Sequence, residues 1–112
     1  LERLARRAFL GLGKTGGIAS NGSGDYIIAF STFKENTVKH SSDEKKASAV
    51  LLANDAISPL FMAAIEATEE AIINSLFAAE DISGKNNRKA KALPEKEVIE
   101  ILKKYNRIKN DR

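Results

Sequence analysis

The segment Ser20-Asn21-Gly22-Ser23-Gly24-Asp25 holds the side chains best suited to chemistry. On extended backbone, residues two apart project to the same face. Ser23 and Asp25 then bring a hydroxyl and a carboxylate together, with Cα atoms about 7 Å apart. Glycines at 22 and 24 leave the adjoining face bare for another backbone or a substrate. A carboxylate that orients a hydroxyl, which in turn bonds a reacting group, makes a proton relay. The plainer reading is a turn before a strand, because Asn-Gly and Ser-Gly are common turn dipeptides. Spacing alone leaves both open. No histidine is close in sequence to act as general base, so nucleophile and base would be incomplete in this segment.

Other candidates fall away one by one. The 112 residues include no cysteine and a single histidine, His40. That excludes disulfides, thiolate metal sites, cysteine nucleophiles and a zinc site built on imidazoles. His40 sits in a hydrophilic stretch and reads as a solvated loop residue without a role. Gly13-Lys14-Thr15 ends like a phosphate-binding loop, but Ala8 stands where that loop needs glycine. A helix also precedes it, where the motif requires a strand before and a helix after. Lys14 therefore reads as an exposed loop cation. Glu66, Glu69 and Glu70 lie along one helix and read as a solvated face rather than an acid–base pair or metal site. No cofactor and no metal are expected.

Several elements must position Ser23 and Asp25. Leu1, Leu4, Ala5, Ala8 and Leu12 share one helical face, which predicts an amphipathic helix ending near Gly11 or Gly13. Six of the seven glycines fall between Gly11 and Asp25. That stretch runs into Tyr26-Ile27-Ile28-Ala29-Phe30-Ser31-Thr32, whose β-branched and aromatic content predicts a strand buried on both faces. Phe33 to Lys46 suits a surface loop or edge hairpin, and Ala47 to Ala53 fits a strand or a helical turn equally. Ser58 as N-cap and Pro59 at the first position open a helix to about Ala79. Its many alanines suit close packing against another layer. Ile82 to Ala92 reads as a loop around Gly84. Pro94 opens a last amphipathic helix, and residues 106–112 read as a frayed tail.

Hydrophobic residues make up 43% and charged residues 29%, an ordinary globular balance. Net charge is +3, yet residues 1–84 carry −3 and residues 85–112 carry +6. A basic tail can meet phosphates, but Tyr105 is its only aromatic residue, and stacking on single strands needs several. No apolar run reaches the roughly 20 residues of a membrane span. Neither nucleic acid nor a membrane is expected as a partner. The class is α+β, with one clear strand and three helices forming an incomplete set of layers. The missing strands are expected from elsewhere in the gene product or from partner subunits. A start at Leu1, already within a helical pattern, reads as a fragment or processed subunit. Residues 1–112 are thus expected to form one partial domain.

Four blocks carry a resemblance: LERLARRAFLGLGKTGG, SNGSGDYIIAFST, NDAISPLFMAAIEATEEAIINSLFAAE and KALPEKEV. In this order they are similar to the smaller, C-terminal chain of the L-aminopeptidase/D-esterase family, the DmpA-like β-aminopeptidases. The resemblance spans residues 1–102, weakest over Phe33 to Val50. It implies an N-terminal-nucleophile hydrolase in a four-layer α-β-β-α sandwich, cut from a precursor into a larger and a smaller chain. It implies a serine at the head of the smaller chain that forms an acyl-enzyme with peptides, amides or esters bearing a free amino terminus. Ser23 and Asp25 match positions that assist proton transfer beside that serine. Some relatives carry Glu where this chain has the shorter Asp25. The serine, its strand, the oxyanion donors and the acid that recognises the substrate amine are expected outside these residues. The larger chain and further copies of the same assembly are the implied partners. The alternative is a non-catalytic module that keeps the fold without the nucleophile.

Overall fold

The apolar spacing near the start demands a helix, and α1 forms over Glu2–Lys14. The structure is a computed structural model describing residues 1–38, 40 and 48–108. Leu4, Ala5, Ala8 and Leu12 are half-buried on the face that their spacing defines, and Gly11 is buried among them. The helix passes both glycines expected to end it. Mid-helix glycine costs only about 0.5–1 kcal/mol relative to alanine, and at Gly11 the missing Cβ lets a second helix approach. A Cβ there would stand 2.6 Å from the Ile65 carbonyl oxygen and 2.8 Å from Thr68 Cβ.

That second helix, α2, spans Ser58–Phe77. It starts one residue earlier than Ser58 as N-cap would require. The Ile57 carbonyl accepts the N–H groups of Leu60 and Phe61 at 3.0 and 3.2 Å, which puts Ser58 inside the first turn. A 3-10 turn at Asn54–Ala56 feeds the chain into it. Phe61, Ala64, Ile65, Thr68 and Glu69 make one half-buried stripe. Contacts in the order Arg3–Asn54, Arg7–Phe61, Gly11–Ile65 and Lys14–Glu69 set α1 alongside this part of α2, running in the same direction. Leu60 and Met62 remain about half exposed. A helix apolar over most of its circumference needs cover on more than one side.

The expected strand at Tyr26 to Thr32 takes no ladder among the described residues. Ile27 is half-buried, but the other side chains are open, with Ile28 88% and Phe30 78% exposed, so burial on both faces is corrected for this chain taken alone. The physical reason is the shortage of layers. A central strand needs strands on both edges and cover on both faces, and the described residues supply none of these. Phe33 to Lys46 opens with a 3-10 turn at Lys34–Asn36, while residues 39 and 41–47 lie outside the described residues. Asn36 clamps the far end of this excursion: its Nδ2 donates to the Val50 carbonyl and its Oδ1 accepts the Val50 N–H, both at 2.8 Å. Residues 48–53 form neither the strand nor the helical turn considered for them.

Chain contacts group into two compact units, Leu1–Glu70 and Ala71–Arg112. In the second, the stretch read as a loop contains a hairpin. β1 (Ile82–Ser83) pairs antiparallel with β2 (Lys89–Ala90), Ile82 opposite Ala90 and Ser83 opposite Lys89. Asn86 and Asn87 sit at φ +61° and +57°, the pair of left-handed residues that a tight hairpin turn requires. Asparagine tolerates that region better than most residues, and the Asn-Asn pair was the available signal. α3 follows Pro94 as Glu95–Lys104. Of the tail, residues 109–112 lie outside the described residues. Among the described residues the chain is α+β, with three α-helices and this two-stranded sheet. None of their helices is long and apolar enough to cross a membrane.

Two expected results arise here. None of the described hydrophobic side chains is fully buried, so residues 1–112 on their own should lose circular dichroism gradually on heating. A sharp, cooperative transition in a monomer would show a core that this chain lacks. The second concerns Asp81, whose carboxylate accepts Lys91 Nζ at 2.5 Å and the Ala92 N–H at 2.9 Å. The Lys91 ammonium, then the Ala92 amide, hold its pKa below the ordinary 3.8. A lowered folded pKa stabilises the hairpin base above pH 3.8, and that contribution fades as pH falls through the folded value. Amide shifts of Ile82 and Ala90 should therefore move toward unpaired values at strongly acid pH. Asp81→Asn should weaken the pairing at neutral pH and flatten the acid dependence; an unchanged acid profile would assign it to another group.

Candidate active site

Glycine at position 22 decides the local geometry. Its φ of +92° is a backbone state that a Cβ opposes, and it sits third in a turn closed by the Ser23 N–H on the Ser20 carbonyl at 2.9 Å. The turn delivers Ser23 and Asp25 to one side. The Ser23 hydroxyl donates to Asp25 Oδ2 at 3.0 Å, and both residues are exposed. The turn fixes where the hydroxyl stands. With its hydrogen directed at the carboxylate, Ser23 Oγ keeps lone pairs free to accept a hydrogen bond from a third group. Asp25, shorter than Glu, reaches Ser23 without a gap.

Beside this pair lies Tyr26, 91% exposed, with a ring carbon 3.5 Å from where a Cβ on Gly24 would stand. At Gly22 none of the described residues comes within 4 Å of a Cβ position, whereas at Gly24 the Tyr26 ring occupies that side. An open groove in the same unit is lined by Leu1, Leu4, Phe30 and Phe33 and includes neither Ser23 nor Asp25. Lys14, expected as a loop cation, instead ends α1 and pairs with Glu69. That pairing removes Glu69 from any carboxylate couple with Glu66 or Glu70. His40 is exposed.

Sequence spacing missed other contacts. Arg3 and Arg7, one turn apart on α1, both lie over the Phe61 ring, with guanidinium carbons 4.9 and 4.0 Å from its centroid. Arg3 also donates to Asn54 Oδ1 at 2.7 Å. The i, i+4 spacing of the two arginines was visible, but their aromatic partner lies more than fifty residues away.

Comparisons with known proteins bear on this geometry. The family profile described as Peptidase family S58 matches residues 1–90. The chain is 44% identical over 108 residues to beta-peptidyl aminopeptidase BapA of Sphingosinicella microcystinivorans, covering 96% of this chain and 27% of that protein. It is 37% identical over 105 residues to BapA of Sphingosinicella xenopeptidilytica, covering 92% and 25%. The crystal structure of the PH0078 protein from Pyrococcus horikoshii OT3 superposes with a TM-score of 0.84 at 47% identity, covering 95% of this chain and 29% of that one. The chain spans little more than a quarter of the length of these relatives.

Proposed function

The chain belongs to peptidase family S58, and on that premise we propose that it is part of an autoprocessed aminopeptidase. The enzyme releases the first residue from peptides, amides or esters through an acyl-enzyme on an N-terminal serine that lies before Leu1. Strands from elsewhere in the gene product or from partner subunits, the serine's own strand among them, cover Tyr26 to Thr32 and complete a four-layer α-β-β-α sandwich with the larger chain. Residues 1–112 are then one part of a single larger domain, and the whole assembles with further copies of itself. The observation that carries this reading is the 3.0 Å bond from the Ser23 hydroxyl to Asp25, set by the Gly22 turn.

In this reading Asp25 orients Ser23, and Ser23 passes on the proton that the attacking serine gives up, its Oγ taking that proton as its own moves to the Asp25 carboxylate. The open side at Gly22, beside the pair, supports close approach by a second backbone or a substrate. The relatives are named beta-peptidyl aminopeptidases, so β-peptides are the first substrates to assay. The intact precursor tests the proposal directly. Expressed alone, it should split into two chains, the smaller headed by a serine that begins a strand ahead of the helix at Leu1. An uncleaved precursor, or a smaller chain headed by a residue without a nucleophile, rejects the autoprocessing and favours the non-catalytic module.

A further inference from the structure

Arg3 and Arg7 bring their guanidinium carbons to 4.9 and 4.0 Å from the centroid of one aromatic ring, Phe61. Arg6, the third arginine of the helix, is paired with Glu2. Among the described residues no carboxylate lies within ion-pair distance of Arg3 or Arg7. Two like charges held on one ring repel each other, and stacking alone offsets this only in part. Their geometry is nevertheless well fixed. Phe61 keeps both groups against one ring, and Asn54 accepts one N–H of Arg3 at 2.7 Å. Arg7 is half-buried, with one Nη 3.5 Å from the Arg3 carbonyl. Each guanidinium carries five N–H donors, so most remain without a protein acceptor.

We propose that Arg3, Arg7 and Phe61 form a binding site for a carboxylate, with the two guanidiniums donating to its oxygens and the ring keeping them near one another. A planar, two-oxygen anion suits paired guanidinium forks better than a point charge does. Its charge relieves the repulsion between the two arginines. The carboxylate belongs either to a free small molecule or to an Asp or Glu elsewhere in the assembled protein. The chemistry is the same for both.

The intact protein, with its arginine side-chain Nε–Hε signals assigned, distinguishes these sources by NMR. A free-ligand site predicts that sodium acetate, added at constant ionic strength, shifts the Arg3 and Arg7 signals along one saturating curve. Arg6 should then stay nearly still, and Arg7→Gln should weaken acetate binding roughly tenfold. A tethered carboxylate predicts no acetate response. Instead the Arg3 and Arg7 signals begin in a hydrogen-bonded position and revert together as pH falls through about 4 or below, the carboxylate range. Either pattern supports the site. Shifts that rise linearly and equally at all arginines, or no response to acetate or acid, overturn it. The wild-type measurements decide this even if Arg7→Gln fails to fold.

Discussion

Ser23→Ala and Asp25→Asn, each made in the intact protein, should lower kcat by roughly 10²- to 10⁴-fold, the loss typical of a positioned proton-transfer group. Both changes nearly preserve volume, and both residues are exposed, so melting temperature should move little. The 3.0 Å bond couples them into one unit. The double variant should therefore be scarcely worse than the worse single one. Self-cleavage should slow alongside turnover, since both reactions begin at the same serine. A purely structural turn predicts the opposite split: a lower melting temperature with kcat per folded molecule preserved. If Ser23→Ala keeps turnover within a few-fold, the segment is only a glycine-rich entry to a strand.

Substituting the two glycines of α1 should give opposite signs. At Gly11 a Cβ meets the Ile65 carbonyl at 2.6 Å and Thr68 Cβ at 2.8 Å, whereas at Gly13 nothing lies within 4 Å. Gly11→Val should destabilise the intact protein by about 2–3 kcal/mol, because overpacking forces two helix backbones apart. Gly13→Ala should stabilise it by about 0.5–1 kcal/mol through helix propensity alone. Urea unfolding midpoints of both variants at constant slope provide the check. Equal effects at the two sites would mean that α1 and α2 do not meet at Gly11. Because Gly11 also sits between the Arg7 and Lys14 contacts, Gly11→Val should loosen both.

Local pattern carried the helices. The stripe Leu4, Ala5, Ala8 and Leu12 predicted the face of α1 that is covered, and Pro59 and Pro94 marked the starts of α2 and α3 to within a residue or two. Helix ends were less legible, because neither glycine of α1 stops it and α2 starts from the Ile57 carbonyl, with Ser58 inside its first turn rather than capping it. The hairpin at 82–90 escaped notice because its strands are two residues long, too short for any alternation to show. The Ser23–Asp25 pair was legible from two-residue spacing, since both partners lie on the same short segment. Contacts such as Asn36–Val50 and Arg7–Phe61 join residues far apart in sequence, where no period links them. The apolar row Tyr26, Ile28 and Phe30 announced a buried strand, but burial is a property of neighbours that these residues do not contain.

The Asn36 clamp on Val50 has an engineering consequence. One side-chain amide imitates a strand neighbour and pins both ends of residues 37–49 at a fixed separation. Once a gap is pinned in this way, doubling the length of the chain that bridges it costs only about 0.6 kcal/mol. The bridge is thus a natural graft point. A foreign epitope, affinity tag or fluorescent reporter inserted between Thr37 and Ala49 would be carried on an anchored neck, its ends held without help from its own sequence.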